Sequence, residues 1–217
     1  MRRGVFLMLI HLLVSAHLVG QEFPQDIWYR GSVTFNDGTT KEGIINYDLD
    51  ANAIRIEIDQ KVETYHANQF RSYSIYQEEE NFYRNFYVLQ HANSTNYRRP
   101  TVFELINEGE VSLLAREYIA TRSDNTNSSF FRNSFGGFGN PYAPVNTITT
   151  RYLAFNLFLV DNRGKVTALS TNKKAVISAF GAHQKELKKF IKENKLKMDR
   201  VMHMSRLVDY FNQLNAQ

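Results

Sequence analysis

Residues 27–59, IWYRGSVTFNDGTTKEGIINYDLDANAIRIEID, decide the fold. From Trp28 to Asn36 the chain alternates: Trp28, Arg30, Ser32, Thr34 and Asn36 fall on one side, Tyr29, Gly31, Val33 and Phe35 on the other. A period of two is the mark of a strand, whose successive side chains point to opposite faces. Asp37-Gly38 then supplies a tight turn, because glycine takes the positive φ that such turns need. Thr40 to Tyr47 forms the returning strand, and Asp48 to Asn52 turns the chain again. In Ala53 to Asp59, Ile54, Ile56 and Ile58 face one way while Arg55, Glu57 and Asp59 face the other, as in a half-buried strand.

The pattern continues outward. Val62–His66 and Arg71–Gln77 read as strands around a turn at Ala67–Phe70, and Asn81–His91 as a Tyr- and Phe-rich strand after Glu78–Glu80. His91–Pro100 reads as a polar loop. Thr101–Asn107 and Val111–Thr121 frame Glu108-Gly109-Glu110 as a hairpin, and Arg151–Val160 with Lys165–Ser170 frames a second at Asp161–Gly164. The period then changes. Val176, Phe180, Leu187, Phe190 and Ile191 recur at helical spacing, with Gly181 as a divider. Asp199 is the expected N-cap of a last helix carrying Val201, Met204, Leu207, Val208 and Phe211. The expected class is α+β: an antiparallel sheet or partly closed barrel of about nine or ten strands, then a two- or three-helix segment packed on it.

At the other end, Arg2 and Arg3 precede the apolar run Val5–Val14, which is short for a membrane span and suits a secretory signal. The expected cut follows Gly20, with Ala16 as the alternative. The organisation is therefore a signal at 1–20, a β-rich body at 21–171 and a basic helical tail at 172–217. The tail (173–217) carries ten Lys and Arg against four Asp and Glu, whereas residues 21–172 hold 14 against 18. The formal +4 is thus a property of the ends. A basic helical tail can touch anionic lipid head groups or an acidic partner, an ordinary solvated helix face being the plain reading, and export argues against nucleic acid as a partner.

Three stretches carry a resemblance: Gly31–Ile45 (GSVTFNDGTTKEGII), Pro100–Leu114 (PTVFELINEGEVSLL) and Asp209–Asn212 (DYFN). In this order they resemble a broad group of uncharacterised exported proteins of Gram-negative cell envelopes. That resemblance implies a strand-rich body, a C-terminal helical segment and a periplasmic or outer-membrane-associated location. It implies no activity and no site residues.

The chain contains no cysteine, which excludes disulfides, thiol catalysis and thiolate metal sites. No G-x-S-x-G occurs, no Ser or Thr is set in a strand–turn–helix context, and Gly136-Gly137-Phe138-Gly139 lacks the Lys-Ser/Thr of a phosphate loop. Asp48, Asp50, Asn52 and Asp59 match the 1-3-5-12 spacing of a calcium loop, but Ala53 replaces its turn glycine, so a hairpin turn is the better reading. Met202-His203-Met204 sits on a helix, where neighbouring side chains diverge. His66, His91, His183 and His203 have no ligand spacing. The expectation is no catalytic residue, no metal and no cofactor.

Two aromatic signals remain. Tyr65, Tyr73, Tyr76, Tyr83 and Tyr87 suit strand packing, with a ligand groove as the alternative. Residues 122–150 are Asn-, Ser- and Gly-rich and hold Phe130, Phe131, Phe135, Phe138 and Tyr142, in a stretch far longer than ordinary connections. These five are the expected binding residues, for a partner or a membrane surface, in a non-catalytic module contacting an envelope protein. The alternative is a carrier of a small apolar ligand or lipid, and behind it a hydrolase of envelope polymers.

Overall fold

The structure, a computed structural model, describes residues 23–92, 97–125 and 147–216. The proposed signal and Phe130, Phe131, Phe135, Phe138 and Tyr142 lie outside the described residues. After a 3-10 turn at Pro24–Asp26 come ten strands: β1 (Tyr29–Phe35), β2 (Thr40–Asp48), β3 (Ala53–Ile58), β4 (Lys61–His66), β5 (Phe70–Gln77), β6 (Phe82–Ala92), β7 (Arg98–Asn107), β8 (Val111–Asn125), β9 (Thr147–Asp161) and β10 (Val166–Ala168). They form one antiparallel sheet in the order β10-β9-β8-β7-β6-β5-β1-β2-β3-β4, which does not close. Three helices follow: α1 (Lys173–Phe180), α2 (Gln184–Glu193) and α3 (Val201–Asn215). The class is α+β.

The alternation read in residues 27–59 places Val33, Ile45, Tyr47, Ile54 and Ile56 on the inner face, where β5 and β6 add Tyr73, Ile75 and Phe86. Each such side chain contributes about 1.5–3 kcal/mol when fully buried. Gly31 and Gly43 stand opposite each other in the β1–β2 register. A Cβ at Gly31 would lie 2.1 Å from the Ser74 carbonyl oxygen, and one at Gly43 2.5 Å from that of Glu57. Here backbones approach too closely for any side chain. The turn glycine Gly38 adopts φ 89°, as the Asp37-Gly38 pair predicts.

Toward the other end, the same inner face is covered by the helices. Leu113 and Ala115 of β8 and Leu157 and Leu159 of β9 pack with Val176, Leu187, Ile191, Met204, Leu207, Val208 and Phe211. The stripe read on the last helix is therefore the seam against the sheet. Phe103, Leu114 and Phe158 form a smaller cluster on the opposite face, with His91 edge-on to both phenylalanines at 5.5 and 5.3 Å.

Several boundaries differ from the sequence reading. Arg200, not Asp199, caps α3, without a side-chain bond; α1 is instead capped by Asn172, whose carboxamide oxygen accepts from the Lys174 and Ala175 amides. Arg98–Pro100 belong to β7 rather than to a loop, with Pro100 opposite Gln90. Proline is tolerated because β7 pairs with β8 only from Glu104 onward, so its missing donor breaks no bond on that side. β8 and β9 also run beyond Thr121 and Arg151, pairing through Asn125↔Thr147. Alternation alone does not reveal this, since Ser, Thr, Asn and Asp carry no apolar period.

Candidate functional site

β8 loses its β7 partner after Ala115, and the next two residues are tied elsewhere. The Arg116 guanidinium donates to the Leu49 carbonyl oxygen in the β2–β3 turn. Glu117 accepts from the Tyr47 hydroxyl at 2.8 Å and from Arg84. Arg84 also grips Glu104 in bidentate fashion, with both N···O distances 2.7 Å, and donates to the Tyr47 hydroxyl at 3.0 Å. The Asn52 side-chain oxygen fills the gap from the other side, accepting from the Val102 amide at 3.1 Å. Turn β2–β3 thus plugs the split between β7 and β8.

These groups meet because each occupies an inward position of its strand: Ile75 opposes Arg84, Phe86 opposes Glu104, and Glu104 opposes Ala115, two residues before Glu117. The side chains of Arg84, Glu104 and Glu117 are only 12, 9 and 5% exposed. Two carboxylates and one guanidinium are therefore held nearly dry, and such charges persist only when fully paired. Burial pushes the Glu117 carboxyl above its ordinary range, against the opposing pull of Arg84 and Tyr47. Burial also raises the Tyr47 and Tyr73 hydroxyls. Burial works against the Arg84 charge, but its Glu104 and Glu117 partners outweigh that and hold it charged. The Tyr73 hydroxyl is buried and has no hydrogen-bond partner among the described residues.

Gln25, Tyr47–Asp50, Glu117–Ile119 and Leu153 line a cleft of about 30 Å³ over this cluster. That is room for about one water molecule and far below the ~300 Å³ of a small-molecule site. Chemically, the arrangement locks strands together and leaves Glu117 as the group able to hold a proton. Two larger open clefts, about 430 and 390 Å³, flank Lys41, which bonds Glu63 and Tyr65 at 3.0 and 2.9 Å.

Beyond Glu117, β8 pairs among the described residues only with β9, forming a two-stranded ribbon through Glu117↔Phe155 to Asn125↔Thr147. Nine residues at ~3.3 Å each give it a reach of about 30 Å. Tyr118, Tyr152 and Phe155 are exposed along it, and Arg151, opposite Thr121 midway along the ribbon, covers the Phe23 ring at 4.7 Å. The segment 126–146, with the five expected aromatic residues, joins its two free ends.

The other candidates scatter. Tyr73 is core, stacked on Phe86 at 4.4 Å; Tyr65 packs on Phe35; Tyr76 and Tyr83 pair at 5.0 Å on the outer face, and Tyr87 is exposed. They line no common groove. Asp48 caps its own turn through the Ala51 amide, and Asn52 is the plug rather than a ligand. His203 accepts from the Lys197 amide, Met204 is core and Met202 is exposed. Glu78–Glu80 are exposed around the β5–β6 turn. Among the described residues, no group of three or more His, Asp or Glu is placed to hold a metal, and no helix is long and apolar enough to cross a membrane.

Tyr47, Arg84, Glu104 and Glu117 were not singled out by sequence. Their signal was present: Arg84 sits in register with Phe82 and Phe86, Glu104 with Val102 and Ile106, and Glu117 with Leu113, Ala115 and Ile119. A charge on the apolar beat of three separate strands marks partners that meet inside. No family model, no curated protein and no solved structure matches the chain.

Proposed function

We propose that this is an exported, non-catalytic binding module of the cell envelope, which holds residues 122–150 toward a partner protein. The observation that carries the reading is the ribbon itself: β8 and β9 continue about 30 Å beyond the last β7–β8 pair. Its root is fixed by Arg116 on Leu49 and by Glu117 on Tyr47 and Arg84. Binding segments commonly sit on connections projected from a rigid scaffold. Phe130, Phe131, Phe135, Phe138 and Tyr142 supply the apolar contact in this reading, and the Arg2–Gly20 segment supplies export to the periplasm or outer-membrane surroundings.

Asn125 and Thr147 oppose each other, so residues 126–146 can be replaced by Asn-Gly, which closes a two-residue hairpin. The shortened chain should melt as the parent does and lose a partner that cross-links to the parent in cells. A partner retained by the shortened chain would sink the proposal. Export is tested separately, by the N-terminus of the mature protein: Gln21, or the residue after Ala16. The carrier alternative gains no support from the interior, where Val33, Ile45, Ile56, Ile75 and Phe86 fill the inner face with no exposed surface.

A further inference from the structure

Helix α2, QKELKKFIKE, is divided into three sectors. Leu187 and Ile191 are buried against the sheet and the other helices. Glu186 and Glu193 lie along one flank. Lys185, Lys188, Lys189 and Lys192, all exposed, fall within an arc of roughly 100° at 3.6 residues per turn. Lysines three and four apart on one helix face repel one another. Among the described residues a single ion pair touches this row, Lys189 to Glu193 at 4.0 Å, and both side chains are well exposed.

The positive charge continues around the corner into α3. Lys195, Lys197 and Arg200 are exposed in the connection. Arg206 donates to the Asn194 side chain at 3.2 Å, which keeps it beside the end of α2. Met202, in the first turn of α3, is 71% exposed. Four exposed cations on one helix face, followed by further exposed cations and an exposed methionine at the start of the next helix, suit a broad anionic surface rather than a discrete ligand. The geometry points to the lysine row of α2, with the α2–α3 corner, as a docking face for anionic lipid head groups. It engages the membrane surface without insertion, because the apolar sector of α2 is already buried in the core. The ribbon plays no part in it.

The test is co-sedimentation of residues 21–217, which hold every described element, with phosphatidylcholine vesicles containing or lacking phosphatidylglycerol. Binding is expected only with the anionic lipid and should fade as salt shortens the screening length. Each lysine near the surface is worth about fivefold in partition. Lys185→Gln, Lys188→Gln, Lys189→Gln and Lys192→Gln together should therefore lower it by a few hundredfold, with melting unchanged. Arg98→Gln, Lys61→Gln, Arg163→Gln and Lys165→Gln together remove the same charge from the sheet and should leave most binding intact. The chain with 126–146 replaced by Asn-Gly should bind as the parent does. Equal binding to neutral vesicles, equal loss in the sheet variant, or loss on shortening the ribbon would each overturn the assignment.

Discussion

Replacing Arg84 by methionine keeps an unbranched stem of similar reach to the arginine's aliphatic part and removes the charged guanidinium. Glu104 and Glu117, 9 and 5% exposed, would then face each other's charge with no cation between them. Removing one partner of a buried pair costs about 3–5 kcal/mol, a large share of the 5–15 kcal/mol that stabilises an ordinary domain. For a domain of this size the melting temperature should fall by about 6–20 °C. The loss should depend on pH in a defined direction. Burial already raises the Glu117 carboxyl and Arg84 opposes that, so without Arg84 it rises further; the folded state then binds more protons than the unfolded one, and the variant regains stability as pH falls toward the ordinary value of 4.5. Urea unfolding followed by circular dichroism at about pH 7 and about pH 5 measures both effects. A second variant isolates the cause: Arg84→Met with Glu104→Leu, Glu117→Leu and Tyr47→Phe removes every charge and its hydroxyl partner. That variant should come within about 1–2 kcal/mol of the parent or exceed it. A loss of under about 1 kcal/mol for Arg84→Met, or one that acidification leaves unchanged, would refute the claim that the two carboxylates are buried and charged.

Burial raises Glu117 above its ordinary value of 4.5. The folded state then binds more protons than the unfolded one just above that pH, and stability falls as pH rises through the window; Glu117→Gln should remove this slope from urea midpoints, and parallel curves would count against it. Asn52 combines φ 49° with the bond to the Val102 amide. Asn52→Gly should cost about 1–3 kcal/mol for the lost acceptor, and Asn52→Ala about 1 kcal/mol more for the left-handed backbone; equal costs would show that the backbone term is absent. A Cβ at Gly109 would lie 2.1 Å from the Asn212 side-chain nitrogen. Gly109→Ala should cost about 1–3 kcal/mol alone and much less beside Asn212→Ala, and strict additivity in that double-mutant cycle would refute the contact.

The order of strands and then helices was legible from residues 27–59 and from the change of period after Ser170, because alternation and helical spacing are local properties of the chain. The split between β7 and β8 was not. It depends on the β2–β3 turn lying against strands 50 and 67 residues later, as in Asn52 with Val102 and Leu49 with Arg116. The same distance hid the charged cluster, whose members come from β2, β6, β7 and β8. Their inward register was readable singly, but only the curled sheet brings them together. The expected binding residues Phe130, Phe131, Phe135, Phe138 and Tyr142 were chosen on composition, and what the fold adds is the ribbon beneath them.

Two of the three stretches quoted for the family resemblance also meet in space. Asn107 donates to the Asp209 carboxylate at 2.7 Å, and the Asn212 amide bonds both the N–H and the C=O of Val111, at 3.0 and 2.9 Å. A side chain of α3 thus supplies β8 with the pair of bonds a neighbouring strand would make, at the point where that strand begins. At the far end of its sheet-bound portion, β8 is held again through Arg116 and Glu117. The two anchors differ in kind. The first uses a neutral amide and an absent Cβ; the second uses charges whose desolvation could be avoided by leucine. Hydrophobic contact holds surfaces together but tolerates sliding, whereas a bidentate guanidinium fixes both distance and orientation. On the proposed function the ribbon must leave the sheet in one direction to present residues 122–150. A lock that contributes little net stability but permits only one geometry is the device that requirement selects, so stability and ribbon direction should separate in the all-apolar variant.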